Sequence, residues 1–155
     1  MCSDSSSLAP CLVQVITEAV APHRIISVSK GWQSLCGFSR EEVLGSTLGI
    51  LQGPYTELDA IEALMTAVRH NEPVTVQLTN YTKCGEKFVH HLSAEPLYDP
   101  SGIIKCFQAT SLVLQSPGEA RCTVSRHRFT ANTSPFPLLP LSHRLDLIWL
   151  RLNLT

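Results

Sequence analysis

No run of lysine or arginine forms a stripe in this chain of 155 residues, and its formal net charge is only −1. The electrostatic footprint of a nucleic-acid or anionic-membrane binder is therefore missing. Charged residues are scarce, at 16 % against 44 % apolar, a balance and length that suit one globular domain with short flanks. The opening Met1-Cys-Ser-Asp-Ser-Ser-Ser lacks the basic segment and apolar core of a signal peptide, and Cys2 stands where myristoylation needs glycine. An intracellular protein, cytoplasmic or nuclear, with no membrane and no nucleic-acid partner, is expected. Cys2, Cys11, Cys36, Cys84, Cys106 and Cys122 show no CxxC spacing, which in that setting favours free thiols and removes the meaning of the sequons at Asn80, Asn132 and Asn153.

Catalytic patterns are missing too. No Ser-His-Asp order, paired carboxylates or phosphate-cradling glycine loop stands out, so no enzyme is expected. A metal site is not expected either: His90, His91, Cys84 and Cys106 would lie close in a meander of strands, but adjacent His90 and His91 point to opposite faces of a strand and no ligand spacing is present.

What the chain does contain divides into three regions. Residues 1–11 are Ser-rich and expected to be flexible. Residues 12–115 form the domain, and 116–155 a Pro-, Ser- and Arg-rich linker with an apolar tail. Leu145, Leu147, Leu150, Leu152 and Leu154 of that tail fit neither helix nor strand period; the tail either packs on the sheet or is a poorly selected end.

Within the domain, Leu12 to Thr17 and Arg24 to Ser29 are apolar runs of strand length broken by Ala-Pro. Ser39 followed by Glu42 reads as a capping box, with Gly45 as a stop. Leu58, Ile61, Leu64, Met65 and Val68 share a helical stripe, and Arg69 and His70 suit the end of that helix. From Val74 onward, alternation and turns at Cys84-Gly85 and Asp99-Pro-Ser-Gly predict three antiparallel strands. The order gives an α+β fold: one antiparallel sheet with short helices on one face.

The phrases "IISVSKGWQSLCGFSREEVLG", "LQGPYTE", "LTNYTKCGEKF" and "LSAEPLYDPSG", in this order over roughly residues 12–115, resemble the PAS domains, and within them the light-oxygen-voltage (LOV) flavin photoreceptors. The resemblance implies a PAS-like five-stranded antiparallel sheet. In LOV domains the turn before the longest helix reads Gly-x-Asn-Cys-Arg-Phe-Leu-Gln: the cysteine adds to the flavin, the arginine holds the phosphate, and the asparagine and glutamine bond the flavin. Here Thr47, Leu48, Gly49, Ile50, Leu51 and Gln52 occupy those places, and Met65 falls where a second phosphate-binding arginine is expected. On the strands, Asn80 matches a flavin-binding asparagine, while His90 replaces a second asparagine and Ser111 the last-strand glutamine.

The implied cofactor-facing residues are thus Thr47, Leu48, Gln52, Asn80, His90 and Ser111. Strand parity places Asn80 with Val76 and Leu78, His90 with Phe88 and Leu92, and Ser111 with Phe107 and Ala109, on one face. Each also has an ordinary reading: Gln52 as a cap, Asn80 as a hairpin residue, His90 as a satisfied core histidine, Leu48 and Met65 as core filling cofactor space. Cys106 should face outward and Cys36 lies upstream, so neither replaces the missing thiol.

The expected function is an intracellular sensory or signalling PAS module acting by protein–protein interaction or small-ligand sensing, without cysteinyl-flavin adduct photochemistry. The alternative is a flavin-binding blue-light photoreceptor domain working without the adduct cysteine. FMN or another flavin is disfavoured as cofactor. Val89, His91, Ser93, Cys106, Gln108 and Thr110 form an outer sheet face with few charges, the expected surface for a homodimer or protein partner.

Overall fold

The computed structural model describes residues 12–118. The expected flexible N-terminus, 1–11, and most of the 116–155 linker and tail fall outside the described residues. Two strands, β1 (Gln14–Glu18) and β2 (Ile25–Val28), come first, followed by helices α1 (Lys30–Cys36) and α2 (Arg40–Val43). A 3-10 turn at Leu48–Leu51 leads to helix α3 (Leu58–Arg69). Strands β3 (Val74–Tyr81), β4 (Lys87–Tyr98) and β5 (Ile104–Gln115) complete the order.

All neighbours are antiparallel and the spatial order is β2-β1-β5-β4-β3. The first hairpin therefore docks beside the last strand, with Val15 opposite Ala109 and Thr17 opposite Phe107. The inner face carries Val15, Val76, Leu78, Phe88, Leu92, Phe107 and Ala109, all buried against Trp32, Val43, Leu51, Ile61 and Met65 of the covering layer. This is the α+β, PAS-like sheet that the sequence predicted.

Local signals explain the covering layer. Ser29 Oγ accepts from Trp32 N–H and starts α1; Gly37, at φ 76°, ends it in the left-handed conformation that glycine adopts without penalty. The Ser39/Glu42 capping box forms in both directions, and Glu42 also pairs with Lys83. Along α3, Ile61, Met65 and Val68 are buried, whereas Leu58 is 49 % exposed and Leu64 half-buried. The expected five-residue stripe is thus narrower, because the first turn of α3 sits at the sheet edge, where Glu57 bonds Thr79.

The thiols follow the expectation in part. Cys36 is free and buried, which pushes its pKa up to about 12. Cys106 is free and half-buried beside inward Phe107. Cys84, in contrast to the free-thiol expectation, is disulfide-bonded.

Candidate functional site

Register alone brings three of the six candidates together. On the inner face, His90 stands opposite Leu78, Asn80 opposite Phe88, and Ser111 opposite Leu92. Each candidate is therefore one diagonal step from the next, within reach of long side chains. Asn80 Nδ2 lies 3.0 Å from His90 Nε2, and His90 Nδ1 lies 2.9 Å from Ser111 Oγ. The result is a polar ladder crossing β3, β4 and β5.

The protonation of the ladder follows from its donors. An amide nitrogen only donates, so Nε2 accepts and the imidazole proton sits on Nδ1, from which it is donated to Ser111. His90 is 2 % exposed. Burial pushes its pKa down; the Glu57 carboxylate pulls it up and His91 pushes it down, leaving it at about 4. His90 is therefore neutral at neutral pH. Its ring packs against Phe88 at 5.1 Å between centroids. Asn80 is 5 % exposed, and its Oδ1 is the buried side-chain polar atom left without a partner among the described residues.

The other three candidates lie on the covering stretch. Thr47 caps the 3-10 turn with its backbone only, and Gln52 closes it by donating N–H to Gly49 O at 3.1 Å. The expectation that Gln52 serves as a cap thus holds for its backbone, while its side chain makes no hydrogen bond among the described residues. Leu48 and Gly49 are half-buried, Leu51 and Met65 buried, and Ile50 exposed. No hydrogen bond among the described residues joins Thr47 or Gln52 to the ladder.

This quiet stretch is held at its ends. Ile25, on edge strand β2, donates N–H to Ser46 O at 2.7 Å and accepts from Gly45 N–H at 2.9 Å. On the opposite edge strand, Thr79 donates its N–H and hydroxyl to the two Glu57 carboxylate oxygens, at 2.6 and 2.8 Å, and its carbonyl accepts from Thr56 Oγ1 at 2.7 Å. Residues 45–57 therefore run from one sheet edge to the other, roughly 19 Å across four strand spacings, and pair backbone groups at both edges. Burial raises the Glu57 pKa, but the Thr79 bonds outweigh it and hold the carboxyl below its usual range. Near the same end, Gly53 lies against Tyr81, whose ring atoms would sit 2.4 Å from any Cβ added there.

Sequence reasoning missed Thr56, Glu57 and Thr79. Thr-Glu just before an apolar helical stripe was a visible start signal, but it reads as a cap; Glu57 occupies the N-cap position of α3 and makes no side-chain cap. Its carboxylate goes to the strand edge instead.

The outer face is more polar than expected. Gln108 Nε2 donates to Glu95 Oε1 at 3.2 Å, and Thr75 and Ser93 hydroxyls are 2.8 Å apart. Val89, His91, Cys106 and Thr110 are half-buried there, and Leu112 and Leu114 near the end of β5 are 65 % and 50 % exposed. No group of metal-ligating side chains occurs among the described residues, and no described helix is long and apolar enough to cross a membrane.

A five-stranded sheet in this order, roofed by short helices and one longer helix, with polar residues gathered on the roofed face, defines a class. The PAS domain profile matches residues 14–111, and the chain belongs to the PAS domain family. Within that family it is of the LOV type. It is 34 % identical over 120 residues to a rice (Oryza sativa subsp. japonica) phototropin-2, covering 77 % of this chain and 13 % of that protein. A LOV domain studied with a flavin analogue superposes with a TM-score of 0.64 at 30 % identity, covering 67 % of this chain and 78 % of that one. The LOV domain of an Erythrobacter litoralis blue-light-activated histidine kinase gives 0.64 at 28 % identity, covering 70 % and 99 %. The chain spans less than a third of the length of eight curated relatives it matches.

Proposed function

We propose that this chain is an intracellular LOV-type sensory module that signals through small-ligand sensing or protein contact, without cysteinyl-flavin adduct photochemistry and without an enzymatic activity of its own. The observation that carries this reading is the leucine at position 48, where LOV domains place the reactive cysteine. A half-buried alkyl side chain has no nucleophile to offer a flavin.

The residues present do not fit FMN. Gly49 and Met65 stand where phosphate-binding arginines are expected, and Met65 is buried in the helix stripe. The three strand positions that would face the flavin bond one another. Two arginine–phosphate contacts contribute on the order of 3–6 kcal/mol, so their loss weakens FMN binding by about a hundredfold to ten-thousandfold.

The domain proper is taken as residues 12–115, with Thr47, Leu48, Gln52, Asn80, His90 and Ser111 facing its ligand space. The outer sheet face, with exposed Leu112 opposite His91 and exposed Leu114 further along β5, is the proposed contact surface for a second copy or a protein partner. Absorption spectroscopy of the purified protein tests the reading: no flavin band is expected as isolated, and a yellow protein that bleaches reversibly in blue light contradicts it.

A further inference from the structure

We infer that the free edge of β3 pairs with β3 of a second copy of this chain, antiparallel and through Thr75 and Gln77, with the Thr56–Glu57 clamp setting how far the pairing runs. This edge contact is separate from the outer sheet face and goes beyond the sensory reading.

The two edges of the sheet differ. At one, β2 is short, and both backbone groups of Ile25 are taken by Gly45 and Ser46. At the other, β3 pairs with β4 without a register shift, so alternate residues bond β4 and those between them point outward. Thr79 belongs to the outward set, because its N–H and C=O are held by Glu57 and Thr56. Thr75 and Gln77 share its parity. No hydrogen bond among the described residues covers the outward backbone groups of these two, and both residues are exposed. The strand VTVQLTNY contains no charge, proline or glycine and is rich in residues of high strand propensity, the composition of an edge that pairs with another chain.

The limits of the open stretch specify its occupant. The next outward position is Pro73 on one side, which has no N–H, and clamped Thr79 on the other. A two-fold axis at Val76 sets Thr75 of each copy opposite Gln77 of the other, so every open donor meets an open acceptor. The same axis sets Pro73 opposite Thr79, and pairing stops there. Strand β3 is thus its own complement. Beside Thr75 the outer face is hollowed into a groove of ≈ 330 Å³, lined also by Pro73, Ser93, Glu95 and Thr110, where the Gln77 side chain of the second copy has room to lie. Opening the clamp frees Thr79; the axis can then move to Gln77, with Thr75 opposite Thr79, and the paired stretch lengthens.

Sedimentation of the full chain at concentrations up to about 1 mM tests this. A concentration-dependent dimer is expected. Gln77→Pro removes an outward N–H while leaving the β3–β4 ladder intact, and should weaken the dimer at least about tenfold with an unchanged far-UV circular dichroism spectrum. The double variant Thr75→Lys/Gln77→Lys sets like charges directly opposite at exposed positions and should do the same. Glu57→Ala should tighten the dimer about threefold or more. A wild-type chain that stays monomeric, a dimer that survives the double lysine variant, or a Glu57→Ala protein that associates no better than wild type overturns the inference. So does a dimer broken by Leu112→Glu but not by a folded Gln77→Pro, which would place the contact on the outer face. If Gln77→Pro does not fold, the double lysine variant decides in its place.

Discussion

The sheet and the layer that covers its inner face are held in opposite ways. In the sheet, backbone pairing holds the strands and side chains tie them further: Asn80, His90 and Ser111 are joined across three strands, and strand register sets their places. In the covering layer, residues 45–57 are held by hydrogen bonds at their two ends, on β2 and β3, while the centre contributes apolar packing through Leu51 and, from α3, Met65. A segment fixed at its ends can change its central residues without losing its path. That is why a turn with the outline of a flavin site can carry Thr47, Leu48 and Gly49 and still cross the sheet.

The most damaging substitution strikes the apolar cover. Met65→Arg, which the FMN-binding pattern would call for, buries a charge with no partner on a helix face where Met65 is 7 % exposed. It should destabilise the protein by about 3 kcal/mol, read as a lower urea midpoint. Ile50→Arg on the exposed centre of the turn should cost less than about 0.5 kcal/mol. If the two cost the same, the cover is not held by packing.

Acid strikes the sheet layer. His90 is depressed from 6.5 to about 4 in the folded state, so the unfolded chain binds a proton first as pH falls. The folded state then loses stability from about pH 6.5 down to about pH 4, and above that window the group contributes no pH dependence. Between about pH 7 and pH 5 the loss assigned to His90 is about 2 kcal/mol. His90→Gln should flatten this part of the stability profile, and an unchanged slope would remove His90 from the account.

A smaller effect than either of these layer-breaking changes tests the anchors. Glu57→Ala removes both carboxylate bonds to Thr79. Because Glu57 is exposed, the cost is discounted to about 1–2 kcal/mol, or roughly 5–12 °C in melting temperature for a domain of this size. Glu57→Gln should lose less than Glu57→Ala, since its amide oxygen still accepts from one Thr79 donor.

The same contrast explains what could be read from the sequence. Period-2 alternation put Val76, Leu78 and Asn80 on one face, and Phe88, His90 and Leu92 on the next, so the inward direction of the ladder residues was legible. Their mutual hydrogen bonds were not, because these depend on diagonal register between strands and on β5 lying beside β4. The Ser39/Glu42 box is a local signal with fixed spacing, and it was legible in full. The Glu57–Thr79 clamp joins residues 22 apart, and nothing local marks it. The thinning of the α3 stripe at Leu58 belongs with it, since where the helix overhangs the sheet edge is a tertiary property. The outer face looked weakly charged along each strand, but the Glu95–Gln108 pair forms only across strands.

The central claim is that this LOV-type domain has no adduct chemistry. It is tested most directly by the visible spectrum of the wild-type chain held in excess flavin, recorded in the dark, under blue light and again after dark recovery. The account predicts that any bound flavin shows no reversible cysteinyl-type bleaching and that Leu48→Cys alone does not create it. Loss of the blue band in light with full return in the dark, in the wild-type protein, would contradict it.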